Sequence, residues 1–504
     1  MAFCNSEYYS TRMHEMIPQQ VLFVGRELAR AGFAAYAVGG CVRDVLLGRE
    51  PNDWDVATNA KPEEIQKVFP KSFYENKFGT VTALVDGMEI QITTYRVDNA
   101  YSDKRHPDSV HYTSDLTEDL ARRDFTINAM AFHITDNEQP ITTDTSCELS
   151  VMGYALVDPF GGQKDLNEKI VRAVGDAQAR FNEDALRLVR AVRFATQLAF
   201  TIEEQTLDAI RKQAGLIRFV SHERIRDELV KIVMCKNAAD GIDLLRQTGL
   251  LQFILPELLD GYHVSQNKHH IFDVYEHNVK SLRYAAEQGF GFTVRFAALL
   301  HDVGKPKAKQ GEGPNATFYN HDMVGARIAA QAMSRLKFSN KEIEDVARLI
   351  RYHLFYYNVD EVTASSVRRL VRNVGLENMD DLINVRFADR IGSGVPKAEP
   401  YKLRHFRYMV EKVSKDPISV KMLKIDGNEV MRILGITPGP KVGVILNALF
   451  SEVLDDPQKN SKDYLGARAV ELDKFSISEL SEMIKKGEEK VRLLEEEEQR
   501  KFRV

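Results

Sequence analysis

The feature that most constrains this chain is a change of period near residue 175. Before it, apolar residues switch between the two-residue spacing of strands and the wider spacing of helices; after it, helical spacing is almost the only signal left. "QQVLFVGRELARAGF" reads as an amphipathic helix, "AAYAVGG" as a strand running into a glycine turn, and "CVRDVLLG" as a short helix. "DWDVAT" reads as a second strand, and "KPEEIQKVF" as a helix with Pro62 near its start. "GTVTALVDGMEIQITTYRV" reads as a hairpin turned at Asp86-Gly87. Beyond the change, "ALRLVRAVRFATQLAF", "ERIRDELVKIV" and "GIDLLRQTGLLQFI" all carry helical spacing. One sheet cannot organise both halves, so the expected class is α+β multidomain: a head with a mixed sheet and helices, then all-α modules.

At 504 residues the chain is too long for one compact core. An apolar content of 44% with 28% charge is that of a folded soluble protein. No stretch approaches the roughly 18 to 20 apolar residues of a membrane span, and the N-terminus has no signal-like run, so a cytoplasmic protein with no membrane partner is expected. The four cysteines are scattered without a CxxC, which points to reduced thiols. A net charge of −5 argues against a nonspecific nucleic-acid coat but leaves room for local basic surfaces. One such stretch, "RAVGDAQARFNEDALRLVRAVRF", carries Arg172, Arg180, Arg187, Arg190 and Arg193.

The first candidate site is "NDWDVAT". On a strand, Asp53 and Asp55 share a face while Trp54 points to the other layer. Paired carboxylates hold hard cations, and Mg²⁺ is typically bound by one or two carboxylates together with substrate phosphates. The chemistry suggested is phosphoryl transfer, in which metals about 3.5 to 4 Å apart activate the attacking oxygen and stabilise the leaving group. A DxD alone also occurs in many solvated loops. Its weight here comes from "VGGCVRD" just before it: Gly39 and Gly40 fall where a strand meets a helix, a place where bare N–H groups cradle phosphate, and Arg43 follows one turn later.

Four stretches in this order, "AVGGCVRDVLLGREPNDWDVAT", "EDLARRDFTINAMAF", "VDPFGGQKDL" and "FNEDALRLVRAVRF", resemble the class II tRNA nucleotidyltransferases, the CCA-adding enzymes with a DNA polymerase β-like nucleotidyltransferase head. The resemblance implies that Asp53 and Asp55 bind the catalytic Mg²⁺, and that Arg123, Asp124 and Asn128 contact the nucleotide's sugar and phosphates. It also implies that Glu183, Asp184 and Arg187 select the base and that Arg190 and Arg193 belong to the same pocket. The selection has a physical basis: a carboxylate accepts from the exocyclic amine of cytosine or adenine, and a guanidinium donates to ring acceptors. On charge alone, "RRD" reads as a surface salt-bridge cluster and the three arginines as a solvated stripe.

The implied activity is addition of C, C and A to tRNA 3′ ends from CTP and ATP. Two alternatives stand beside it: a poly(A) polymerase or A-only enzyme, and a head reduced to an RNA-binding platform for a working hydrolase. "FYENKFGTVTALV" lacks the arginine-rich stretch of the polymerases, and "RVDNAYSDKRHPDSVHY" is similar to the loop the family uses to add the final A. A third carboxylate on the strand "EIQITTY" is left open, because Gln91 is aligned there and Glu89 shares its face.

Six of the thirteen histidines, His269, His270, His277, His301, His321 and His353, fall close together. "RFAALLHDVGKP" places His301 and Asp302 at the end of an apolar helix stopped by Gly304 and Pro306. With His277, His321, His353 and Asp389 they resemble the HD superfamily of metal-dependent phosphohydrolases, which implies a divalent transition metal, with Lys305 neutralising phosphate. His269 and His270 stand outside the ligand set. The expected modules are a head (1–175), a helical neck and body for base selection and tRNA binding (176–263), an HD domain (264–395) and an α-helical tail (396–504).

Overall fold

The computed structural model describes residues 16–75, 79–99, 109–134, 148–151, 154–266, 271–355, 358, 362–395 and 400–486. The chain divides into two compact units, Met1–Pro256 and Glu257–Val504.

The first unit is built on an eight-stranded sheet of order β3-β4-β5-β2-β1-β8-β10-β9. Its strands are β1 (Ala35–Val38), β2 (Asp55–Thr58), β3 (Ser72–Glu75), β4 (Thr80–Val85), β5 (Met88–Thr94), β8 (Ala131–His133), β9 (Glu148–Val151) and β10 (Tyr154–Val157), with β6 (Arg96–Asn99) and β7 (Ser109–Tyr112) forming a separate ribbon. The β4–β5 hairpin turns at Asp86 and Gly87, both at positive φ, as the two-residue hairpin requires. Helices α1 (Gln19–Arg30), α2 (Gly40–Leu46) and α3 (Pro62–Val68) match the expected ones, with Pro62 at the helix start.

Strands β1 and β2 run antiparallel with Ala37 opposite Val56. Continuing that register sets the Gly39 turn beside Trp54, so strand pairing alone brings the two motifs together. The strand starts at Asp55; Asp53 lies in the bend before it, exposed, while Trp54 is buried at 2%. Burying that indole anchors the bend and is worth on the order of 2–3 kcal/mol.

The head also holds α4 (Leu116–Ala121) and α5 (Gly162–Glu168); after it come α6 (Ala177–Glu183), α7 (Arg187–Leu198), α8 (Glu204–Gln213), α9 (His222–Met234) and α10 (Ala238–Gln247). One strand signal does persist past residue 175: Thr201–Ile202 pairs in parallel with Ile170–Val171. It is too short to show a period.

The second unit is built from helices, with one isolated bridge between Gln310 and Thr317 among its described residues. α11 (Val274–Glu287), α12 (Phe292–Leu300), α13 (His321–Arg335), α14 (Asn340–Tyr352) and α16 (Met379–Gly392) pack together, with α15 (Ala364–Val374) and α17 (Tyr401–Val413) following around them. α18 (Gly427–Leu434), α19 (Pro440–Asp455) and α20 (Lys462–Leu472) enclose a separate apolar core that includes Val430, Ile445, Leu449, Val453 and Leu465. Gly435–Gly439 is the turn expected from "LGITPGPKVG". Among the described residues no helix is long and apolar enough to cross a membrane.

Candidate functional site

The carboxylate pair sits at the start of β2, and its surroundings explain the glycines before it. Gly39 has φ +84°, a conformation that favours glycine, and a Cβ there would lie 2.6 Å from an Arg123 guanidinium nitrogen, so a side chain would also displace Arg123 from beside the turn. Burial raises the Asp55 pKa first, and neighbouring Asp53 raises it further, while the positive charge of Arg123 opposes both. Asp55 therefore lies close enough to Asp53 to feel its charge, as residues sharing a cation would. On the adjoining parallel strand β5, Gln91 pairs with Asp55 in register. Gln91 and Glu89 lie on its exposed face, with Ile90 and Ile92 buried on the other.

Behind the pair the remaining residues form one chain of polar contacts. Arg43, 6% exposed, donates to both carboxylate oxygens of Asp44 at 2.9 Å and to Asn128 Oδ1 at 2.8 Å. Asn128 donates to Asp124 at 3.1 Å, and Asp124 takes Arg190 at 2.6 and 2.8 Å. Burial alone would raise Asp124; Arg190, the Asn128 hydrogen bond and Arg187 outweigh it and hold the pKa at about 2. Arg190 also lies 3.9 Å from Glu228, which binds Arg193 at 2.5 Å. The buried Phe194 ring has the guanidinium carbons of Arg193, Arg43 and Arg190 at 3.8, 5.1 and 5.2 Å. The arginines of α7 thus face inward onto acid and aromatic partners.

Two expected partners are placed apart from each other. Asp184 accepts from both terminal nitrogens of Arg224 at 2.8 and 3.2 Å, whereas Arg187 binds Glu183 at 2.7 Å and the Arg122 carbonyl at 2.8 Å. The sequence reading missed Arg224 and Glu228. Their signal was an i, i+4 pair in "HERIRDELVKI", with Glu228 on the otherwise apolar face of α9.

The third motif serves as scaffold. A Cβ on Gly162 would come within 2.3 Å of the Thr126 carbonyl oxygen, so glycine lets α5 press against the turn Thr126–Asn128. Thr126 then donates to Asp165 at 2.7 Å, fixing the backbone that carries Asn128.

In the second unit, His277, His301, Asp302, His321, His353 and Asp389 are brought together, each no more than 7% exposed. His277 Nε2 lies 2.9 Å from His301 Nε2, 3.2 Å from Asp302 and 3.3 Å from Asp389. Asp302 is 3.2 Å from His321 and 3.8 Å from His353. Three of the rings are locked by the same device: Nδ1 of His301, His321 and His353 meets the carbonyl three residues back, at 2.6–2.8 Å. A carbonyl only accepts, so Nδ1 carries the proton and Nε2 is aimed at Asp302.

The second unit uses glycine for close approach as well. Gly304, expected with Pro306 to stop the helix, has φ −79°, a conformation open to any residue. A Cβ there would meet the His321 carbonyl oxygen at 2.1 Å, so what the position requires is lack of bulk where α13 crosses. Gly392 acts likewise: a Cβ there would lie 2.2 Å from Ser281 Oγ and 2.9 Å from the His277 carbonyl oxygen, so lack of bulk closes α16 onto α11, which carries His277.

This donor set fits a divalent cation. Ligand atoms of His277, His301 and Asp389 all lie within 4.8 Å of one another, as do those of His301, Asp302 and His353. Both Asp302 oxygens and His321 Nε2 are buried with ion-pair contacts but no hydrogen bond. Burial would lower His301, yet Asp302 and Asp389 raise it to about 10: the carboxylates demand positive charge at their centre. His353 is pushed well down by burial and by His301. Asp302 is also met by Lys305 at 2.5 Å, itself 2.6 Å from Gln266, and Asp389 by Arg386 at 2.5 Å. His269, His270 and residues 100–108 of the expected loop lie outside the described residues.

Comparison with known proteins follows this division. Residues 35–172 match the family described as poly A polymerase head domain, 199–261 the probable RNA and SrmB-binding site of polymerase A, and 274–391 the HD domain. A CCA-adding enzyme of Geobacillus thermodenitrificans is 43% identical over 465 residues, 90% of this chain and 96% of that one. An A-adding tRNA nucleotidyltransferase of Deinococcus radiodurans is 35% identical over 431 residues, 82% of this chain and 90% of its own. The crystal structure of the Bacillus stearothermophilus CCA-adding enzyme in complex with CTP superposes with a TM-score of 0.65 at 27% identity, covering 90% of this chain and 97% of that one. With this coverage and the four head motifs in place, the chain belongs to the class II tRNA nucleotidyltransferases, the CCA-adding enzyme family, and carries an HD domain.

Proposed function

We propose that this nucleotidyltransferase adds C, C and A to tRNA 3′ ends in the cytoplasm, taking CTP and ATP one nucleotide at a time. The observation that carries the reading is the convergence of Asp53 and Asp55 with Arg123 against Gly39, the glycine turn that would receive the triphosphate. In each cycle the tRNA 3′ oxygen bonds to the α-phosphorus, the bond to the bridging oxygen breaks, and pyrophosphate and the hydroxyl proton are released. Asp53 and Asp55 would hold Mg²⁺, which when bound supplies charge for the triphosphate and activates the hydroxyl. Gly40 offers its backbone N–H to the phosphates, while the Gly39 N–H is tied to the Met130 carbonyl at 3.2 Å and fixes the turn; Arg123 adds charge beside them. Asp124, Asn128, Arg43, Arg190 and Arg193 hold the pocket wall rigid through their mutual contacts. Asp184 and Arg187 meet the base edge, so Asp184 must share or exchange its contact with Arg224 as the base arrives.

The HD cluster is proposed as a second site, a metal-dependent phosphohydrolase centre for a divalent transition metal. His277, His301, Asp302, His321, His353 and Asp389 would hold that ion, whose Lewis acidity would serve phosphate-ester hydrolysis. The expected modules, 1–175, 176–263, 264–395 and 396–504, are proposed to divide this work.

The A-adding relative supports a second reading, addition of the final A only. Incubation with Mg²⁺, CTP, ATP and tRNAs ending before C74, after C75 or complete separates the two. Extension of the shortest substrate through both C and A is expected. Extension of the CC-ended tRNA alone overturns the first reading in favour of the second, and long A tails would overturn both.

A further inference from the structure

We infer that the exposed face of α17 is an RNA-stacking surface, which holds unpaired loop nucleotides of the tRNA substrate. This rests on tRNA being the substrate. Leu403, Phe406, Val410 and Val413 form the buried stripe of the helix, and Phe406 stacks on Phe355 at 4.6 Å. The opposite face carries Tyr401, His405 and Tyr408 at helical spacing. Tyr401 is 63% and Tyr408 58% exposed, and the rings form a ladder with centroids 6.4 and 6.3 Å apart.

Such exposure is unusual for rings that have a helix-packing alternative. The neighbouring charges show what the face is suited to. Lys402, Arg404, Arg407, Lys412 and Lys415 are all exposed along this segment, against one exposed acid, Glu411. The protein as a whole is acidic, at −5, so this basic concentration is local.

Aromatic faces interleaved with cations are the combination that holds unpaired bases and their phosphates: rings stack on bases of any identity, and Lys/Arg displace counterions. Protein interfaces also use tyrosine and arginine but are depleted in lysine, whereas Lys402, Lys412 and Lys415 are three of the five cations on this segment. Arg407 lies 5.6 Å from the Phe387 ring and Lys402 donates to Asn358 at 2.7 Å, so the cationic rim is partly preorganised.

The test uses the full chain with the tyrosine pair replaced, Tyr401→Ala with Tyr408→Ala. Fluorescence anisotropy is read with whole tRNA and with a hairpin carrying only the acceptor stem. The expected result is a tRNA Kd raised about tenfold or more, with hairpin affinity, thermal melting and kcat at saturating tRNA unchanged. Tyr401→Phe with Tyr408→Phe should restore binding, because the ring faces remain. Lys412→Ala with Lys415→Ala should flatten the dependence of log Kd on log salt by about 0.7 for each phosphate that the lysines neutralise. Equal tRNA affinity for wild type and the alanine pair, with wild type still extending tRNA, overturns this inference alone. No tRNA binding by wild type overturns it together with the CCA-adding reading. A changed sedimentation coefficient at unchanged tRNA affinity would make the face a contact between protein copies and also overturn it.

Discussion

The two candidate metal sites are built on opposite plans. In the head, Asp53 is exposed and Asp55 half-buried at the start of an interior strand, with a cationic side chain held close by a glycine turn. In the HD unit, four imidazoles and two carboxylates are enclosed, three of the rings fixed by backbone carbonyls and the carboxylates gripped by Lys305 and Arg386. The first arrangement suits an ion that arrives with a phosphate-bearing substrate and leaves with the product. The second suits a resident ion, because its ligands are already oriented and desolvated. An open pair depends most on its carboxylates, whereas an enclosed cluster is coupled to the stability of its whole bundle.

The sharpest test of this contrast is Asp55→Ala. Nucleotide addition should fall by about a thousandfold or more, by analogy with loss of a principal transition-state stabiliser. The melting temperature and any phosphohydrolase activity should be unchanged; loss of both activities together would show that the two sites are not independent.

Asp302→Asn should have a large effect of the other kind. Removing the charge that faces His277, His301, His321 and Lys305 should lower transition-metal affinity by about a hundredfold, measured by calorimetry. It should also destabilise the protein by about 3–5 kcal/mol, because a buried lysine loses its partner. Nucleotide addition by the folded variant should stay at the wild-type rate, and a parallel loss of addition would break the comparison.

Asp124→Asn probes the wall behind the head site. The folded pKa of about 2 lies below the usual carboxylate value of 3.8, so the charge stabilises the fold above about pH 4, and that contribution is lost as the pH falls toward 2. The shift corresponds to about 2 kcal/mol. Denaturant titrations from pH 6 to pH 2 should therefore show a steeper loss for wild type than for the variant. Equal slopes would mean that Arg190 is not held by a charged Asp124.

The smallest expected effect is that of Gly39→Ala. Its positive φ costs a side chain about 1–2 kcal/mol, and the Arg123 guanidinium must also move. The expected readout is a raised KM for CTP and ATP with a modest fall in stability. An unchanged KM would remove Arg123 from the nucleotide pocket.

Much of this was legible in the sequence where the determinants are local. Strand and helix periods located α1, β1, α2, α3 and the β4–β5 hairpin, and the Asp86-Gly87 turn follows from what two positive φ angles demand. The head motifs were identifiable because their residues are close in sequence and ordered along it. Illegible were the contacts spanning long separations: Asp184 with Arg224, Glu228 with Arg190 and Arg193, and Gly162 against Thr126. Nothing local marks a carboxylate's partner when a guanidinium forty residues away and one three residues away satisfy it equally well.

By itself, then, the sequence determined the α+β character, the two kinds of candidate site and the identity of the donor atoms, because side-chain chemistry and backbone period are properties of short segments. Only the tertiary structure decided which charges neutralise one another, which glycines serve turns and which serve close approach, and that four histidines from four helical segments converge around Asp302. Those outcomes depend on how helices and strands cross. Crossing is set by packing between segments far apart in the chain, which no local pattern records.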